Sequence, residues 1–304
     1  MIAVCGEALM DVVRHGSQAQ HPGGGPFNTA RALARLGVPV AFVGRLSDDH
    51  LGVELRRCLA ADGVDLSMAV VGPEPTTVAL AEVDEAGIAS YRFKFAGTSA
   101  PNLTADMLPA RLPIEVEALH VGSLGLLLEP MAATISELVR REGAGRPIMV
   151  DPNIRAPTID DPRTYRRRLD SVMAQSTIVK AAESDVAWLA PTASVEDFAA
   201  SVLRQTGARL VVVTLGAAGA FGVTDRARAH VVAPQLPVVD TIGAGDAFGA
   251  ALLGWLHDRG LLVKDLSLGA RELEDVLAFA CMVASMTCAQ AGANTPRRSE
   301  LNLA

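Results

Sequence analysis

Short apolar runs alternate with amphipathic stretches along most of the 304-residue chain. Residues 2–5, 40–43, 118–121, 148–150, 177–179 and 210–214 are apolar at nearly every position, as strands buried on both faces are. Helical spacing of apolar residues predicts helices over 29–36, 51–61, 131–141, 165–174, 195–206 and 273–289. Gly37, Gly63 and Gly207 stand where three of these helices should end. Strands alternating with helices predict an α/β fold, a mainly parallel sheet covered by helices on both faces. Residues 221–224 and 230–232 read as a hairpin late in the chain. An earlier interruption stands out more. Two β-prone runs, 76–83 and 88–95, flank Asp84-Glu85-Ala86-Gly87, a hairpin turn signal. This pair reads as a small β-lid suited to a reaction that excludes water. The predicted organisation is a core of residues 1–10, 23–75 and 96–304, with a lid of 11–22 and 76–95.

The stretch 236–256 carries the strongest chemical signal. A short β-prone run at 236–239 leads into Asp240-Thr241-Ile242-Gly243-Ala244-Gly245-Asp246, and 247–256 is apolar all round, like a buried helix. Glycines at the mouth of a helix let its unpaired first N–H groups converge on one point. With the helix dipole they form an anion site. Asp246 beside such a site has two readings: a helix cap, or a base next to a transferring phosphate. A second glycine cluster, Gly23-Gly24-Gly25-Pro26-Phe27-Asn28, precedes the helix expected at 29–36. It is neither a Walker loop, lacking Gly-Lys-Ser/Thr, nor a dinucleotide fingerprint, whose spacing differs. Asn28 either caps that helix or offers a donor and an acceptor to a hydroxyl-rich ligand. Phe27 either narrows a pocket there or packs. Asp11 falls near the C-terminal end of the first strand, the edge where open parallel sheets bind ligands.

Composition narrows the classes. A net charge of −7 argues against nucleic acid or an anionic membrane as partner. No apolar run is long enough to span a bilayer, and the N-terminus lacks a basic leader. Cys5, Cys58, Cys281 and Cys288 form no Cys-x-x-Cys pair, so packing is the expected role and a reducing, cytoplasmic setting fits them.

Taken in order, the segments 23–52 (GGGPFNTARALARLGVPVAFVGRLSDDHLG) and 240–246 (DTIGAGD) resemble the signatures of the PfkB (ribokinase-like) family of carbohydrate kinases, over nearly the whole chain. Gly6-Glu7-Ala8-Leu9-Met10-Asp11 and Asp151-Pro152-Asn153-Ile154-Arg155 look most like its fructokinase and 2-keto-3-deoxygluconate kinase branches. The resemblance implies a three-layer ribokinase-like fold and ATP-dependent phosphorylation of a sugar hydroxyl. Asp246 would be the base, and Gly243, Ala244 and Gly245 the anion hole. Asp11, Gly24, Gly25 and Asn28 would hold sugar hydroxyls. Lys180, Thr214, Gly216 and Gly219 would bind ATP. Asp185 and Glu183 would act on Mg2+, in a segment where Ala182 and Asp185 replace the family's frequent Asn-x-x-Glu. Asp240 and Ile242 would border K+. An aspartate of ordinary pKa near 4 is ionised at neutral pH, and nearby amides are expected to keep Asp246 so. A homodimer through the lid is the expected assembly. The alternatives are a nucleoside kinase of the same superfamily and a sugar-binding regulator without catalysis. A dinucleotide-dependent dehydrogenase would need a glycine fingerprint that Cys5-Gly6-Glu7-Ala8 does not supply.

Overall fold

The computed structural model describes residues 1–15, 17–83 and 89–301. Its strands are β1 (Ile2–Cys5), β2 (Leu9–His15), β3 (Ser17–Gly23), β4 (Val40–Ser47), β5 (Ala69–Gly72), β6 (Val78–Val83) and β7 (Ala89–Lys94), then β8 (Ala118–Gly122), β9 (Ile148–Asp151), β10 (Ile178–Ala182), β11 (Leu210–Thr214), β12 (Ala220–Val223) and β13 (Arg228–Val231). Its helices are α1 (Gly25–Arg35), α2 (His50–Asp62), α3 (Met131–Glu142), α4 (Pro162–Met173), α5 (Glu183–Leu189), α6 (Val195–Gln205), α7 (Ala244–Asp258) and α8 (Ala270–Cys288).

The main sheet has nine strands in the order β13-β12-β11-β10-β9-β8-β1-β4-β5. It is parallel from β5 to β11, and the β12–β13 hairpin closes one side antiparallel. Side chains alternate across it with period two. Ile2 and Val4 join one core cluster, with residues of α1, α2, α7 and α8. Ala3 and Cys5 join the other, with residues of α3, α4 and α6. Leu210 and Val212 divide from Val211 and Val213 in the same way. Strands apolar at every position are therefore what a sheet covered on both sides requires.

β1 lies between β4 and β8, so the chain winds outward in opposite directions from this point. Such a switch point opens a crevice at the C-terminal ends of the strands. Glu7, Ser123, Asn153 and Thr214 all lie at or just past those ends.

Several elements depart from the sequence reading. The lid is a four-stranded sheet, β3-β2-β6-β7, because residues 9–23 form a hairpin whose β2 pairs parallel with β6. Two strands alone are marginal in water, and the added pair gives the lid a self-supporting sheet. The turn Asp84-Glu85-Ala86-Gly87 lies outside the described residues. β5 was not foreseen. Residues 236–239 are irregular rather than β, since Pro234 and Pro237 have no N–H for a ladder. α1 starts at Gly25, four residues earlier than expected, with Pro26 in its first turn where a missing N–H costs nothing.

Leu252 is fully buried in α7, whereas Ile114 is 91% exposed on a loop. Leu252→Ala is expected to lower unfolding free energy by about 2–5 kcal/mol. Ile114→Ala should stay within about 0.5 kcal/mol of the parent. Chemical denaturation of the two variants measures the difference.

Candidate active site

α7 sets the position of the reacting groups. It is buried on nearly every side and packs against α1 and α8, so its start has little freedom. Its N-cap, Gly243, has φ +77°, a left-handed conformation that suits glycine. A side chain there would also put its first carbon 2.5 Å from Ala293 Cβ. The Ala244 amide donates back to Thr241 O at 3.3 Å, while the first in-helix acceptor, Gly243 O, is taken by Ala247 N. The amides of Gly245 and Asp246 remain the orphan donors of the helix start. A first side-chain carbon on Gly245 would lie 3.2 Å from Lys180 Nζ, so an ammonium stands beside this donor pair. Donors, dipole and cation together favour an anion of phosphate type.

Asp246 is 8% exposed, and its Oδ2 accepts a hydrogen bond from Asn28 Nδ2 at 2.9 Å. Asn28 is thus on the first turns of α1, where it bridges to α7 and leaves its Oδ1 without a partner. Burial, with the nearby Asp151 charge, raises the Asp246 pKa to about 6; Asn28, Lys180 and Arg155 work against that rise. The expectation of an ordinary value near 4 is corrected here. Two orphan amides do not offset removal from water. Lys180 is buried on β10, which runs three residues further than expected. Its Nζ pairs with Asp151 Oδ2 at 2.7 Å. Burial pulls its pKa down, but the Asp151 charge and hydrogen bond outweigh that and the net direction is upward. Lys180 is therefore held charged.

Asp11 stands on β2, and Gly24 and Gly25 stand at the start of α1. Asp11 lies at the base of β2, packed against Gly23, where a side chain would collide with its Oδ2. Burial lifts its carboxyl to about 6, with His21 and Arg155 opposing. Gly24 has φ +109° and its Cβ position lies 2.8 Å from Glu7 O. The Gly25 Cβ position lies 3.1 Å from Ser123 Cβ and 3.2 Å from Asn153 Nδ2. Ser123 and Asn153 both have positive φ, 54° and 42°, a conformation non-glycine residues adopt at a cost and often beside a site. Phe27 is fully buried and packs in the core.

Thr214, Gly216 and Gly219 line a cavity of about 290 Å³ that also touches Ala244 and Gly245. Gly219 has φ +95° and lies against Val231 O, leaving no room for a side chain. The cavity continues past Pro234, Phe248 and Ser285 to Cys281 and Cys288 on one face of α8. Its lining is mostly apolar, and it reaches the start of α7 at Ala244 and Gly245.

The model of the pfkB family carbohydrate kinases matches residues 1–300. A fructokinase from Rhizobium leguminosarum bv. trifolii is 39% identical over 270 residues, 87% of this chain and 82% of that protein. Among solved structures, the fructokinase of Xylella fastidiosa with bound ATP superposes with a TM-score of 0.90 at 27% identity, covering 98% of this chain and 96% of that one. The fructokinase of Vibrio cholerae O395 in its fructose, ADP and calcium ion bound form gives 0.84 at 27% identity, covering 99% and 97%. This chain belongs to the pfkB family of carbohydrate kinases.

The residues expected to face ions differ in their surroundings. Asp240 Oδ1 accepts from Ile242 N at 3.0 Å and its Oδ2 from Gly292 N at 2.9 Å, tying the α7 approach to the segment after α8. Asp185 is buried with both oxygens engaged, by Ile154 N at 2.7 Å and Ala182 N at 2.8 Å. Glu183 is exposed. Among the described residues, no three His, Cys, Asp or Glu side chains group as a metal site. No helix among them is long and apolar enough to cross a membrane.

Sequence reasoning assigned no role to Glu7, Asp151, Ser123, Asn153 or Arg155. The edge rule that singled out Asp11 applies equally to Glu7, Asn153 and Arg155. The positive φ of Ser123 left no sequence signal.

Asn28→Leu removes the hydrogen bond that lowers the Asp246 pKa. Carboxyl-carbon NMR titration should place Asp246 near 6 in the parent and higher in the variant. A lower value in Asn28→Leu contradicts the geometry.

Proposed function

We propose that this carbohydrate kinase transfers the γ-phosphate of ATP to a hydroxyl of fructose or a closely related keto-sugar. The observation that carries the reading is the contact of Asn28 with Asp246 at the mouth of α7, where the glycine-rich start of α1 meets a helix start that also borders the cavity lined by Thr214, Gly216 and Gly219. The fructokinases to which the chain is similar, two of them solved with ATP or with fructose and ADP, support the choice of substrates.

The sugar lies among Asp11, Gly24, Gly25 and Asn28, its accepting hydroxyl against Asp246. ATP lies along the slot formed by Thr214, Gly216 and Gly219, its terminal phosphate at the amides of Gly245 and Asp246 beside Lys180. Phosphoryl transfer asks the protein mainly for alignment and charge stabilisation. Ionised Asp246 orients the hydroxyl and accepts its proton as the new bond forms. Gly243 and Ala244 set the backbone of the anion hole, and the Lys180 charge stabilises the phosphoryl oxygens.

Magnesium supplies neutralisation of phosphate charge. The residues fit an ion carried by the nucleotide rather than a protein cage, as magnesium at phosphates commonly is. With both Asp185 oxygens on amides, Asp185 and Glu183 would reach such an ion only indirectly. Potassium fits beside Asp240 and Ile242, where each carboxylate oxygen keeps a lone pair beyond its one amide. The lid's edge strands, β3 and β7, are open to pairing with a second copy, the route to a dimer.

A coupled ADP-release assay with MgATP tests the reading against fructose, 2-keto-3-deoxygluconate, ribose and adenosine. Fructose or a related keto-sugar should give the highest kcat/KM, and preference for adenosine would replace this reading with a nucleoside kinase. Asp246→Asn should lower kcat by roughly 10² to 10⁴ while the melting curve stays close to the parent's. In the parent, kcat/KM should fall about tenfold or more per pH unit below about 6, where free Asp246 gains its proton. Replacing potassium by a large organic cation should slow turnover, and an unchanged rate removes the potassium site.

A further inference from the structure

Glu7 is 1% exposed, just past the end of β1. Its Oε1 accepts the Gly25 amide at 3.2 Å, and its Oε2 accepts the Gly125 amide at 2.9 Å. The Ser123 hydroxyl stands near it and helps hold its pKa down. These groups come from two places. Gly25 is the first residue of α1, and Ser123 and Gly125 belong to the 3-10 turn after β8. The backbone of Glu7 touches the same region, with its carbonyl 2.8 Å from the Gly24 Cβ position.

α1 needs this contact. Its N-cap is Gly24, which offers no side-chain cap, and its first turn holds no acidic residue. A helix start in that condition leaves its amides unsatisfied and its dipole uncompensated. Glu7 provides both acceptor and negative charge from outside the helix. The next link is direct: Asn28 N donates to Gly24 O at 2.9 Å, and Asn28 Nδ2 holds Asp246. A buried carboxylate whose donors are all neutral is costly, and apolar packing would be the cheaper filling.

We infer that Glu7 is a positioning residue for the sugar subsite: it clamps the first turn of α1 to the turn after β8 and thereby places Gly24, Gly25 and Asn28 against Asp246. The role in sugar affinity rests on the proposed function above; the placement of Asn28 against Asp246 does not. Burial lifts the Glu7 carboxyl to about 7, with its hydrogen bonds opposing the rise. The titratable groups that feel its charge are Cys5 on β1 and Tyr165 on α4. Protonation leaves one oxygen occupied by its own hydrogen, so the clamp loosens as pH falls through about 7.

Glu7→Gln keeps the shape but turns an NH2 toward backbone donors. At saturating MgATP it should raise the sugar KM tenfold or more and leave the ATP KM within twofold. The parent's sugar KM should climb as pH falls through about 7, and Glu7→Gln should lose that dependence. Ser123→Ala, which removes the nearby hydroxyl and leaves the carboxylate, should move the sugar KM the same way by a smaller factor. Carboxyl-carbon titration of Asp246 requires no substrate and should show a higher pKa in Glu7→Gln, as in Asn28→Leu. If Glu7→Gln fails to fold, Ser123→Ala carries the same two readouts. Sugar KM and Asp246 titration both at parent values overturn the clamp. A parent enzyme inactive on every sugar overturns the substrate reading instead, and the Asp246 titration alone then decides the clamp.

Discussion

A carboxylate buried at the positive end of a buried helix is the constraint on which this structure depends. Asp246 has little water to solvate its charge. Its partners must therefore come from the protein, and they come from separate elements: Asn28 on α1, Lys180 on β10, and the first amides of α7 itself. Each must be held within hydrogen-bond or Coulomb reach by packing elsewhere. The long apolar surface of α7, enclosed by α1 and α8, fixes one side, and the central strands fix the other. Stability and chemistry thus meet in one helix.

Asp151, Asp185 and Asp246 share one buried ammonium, Lys180, whose pairing with Asp151 keeps it beside Gly245. Asp185 is satisfied separately by two backbone amides. Removal from water raises the Asp246 pKa, and the nearby Asp151 charge adds to the rise. Its value near 6 still leaves it ionised at neutral pH, while making it more basic than a solvated aspartate, a property useful in a proton acceptor.

The crevice follows from topology. Parallel strands present their C-terminal ends on one side, and the reversal of winding at β1 opens a gap there. Residues distant in sequence, such as Glu7, Ser123, Asn153 and Thr214, arrive at that edge because their strands point the same way. The lid rises from the same edge, with Asp11 at its base.

The sequence alone determined the alternation of strands and helices, the interrupting lid and the two glycine signals. These are local properties, written in hydrophobic period and in residues that tolerate positive φ. It also singled out 240–246, since a glycine-flanked helix start is recognisable wherever it lies. Local pattern misplaced the start of α1, gave β structure to residues 236–239 that two prolines forbid, and passed over β2 and β3, whose pairing depends on β6. The tertiary structure decided which atoms meet. No spacing rule brings Asn28 to Asp246, 218 positions away, or Glu7 to Gly125, 118 away. Nor does one foretell that Asp246 loses its water and rises to about 6. Burial and long-range contact are properties of the packed chain, and they set both the strength of the base and the positions of the groups around it.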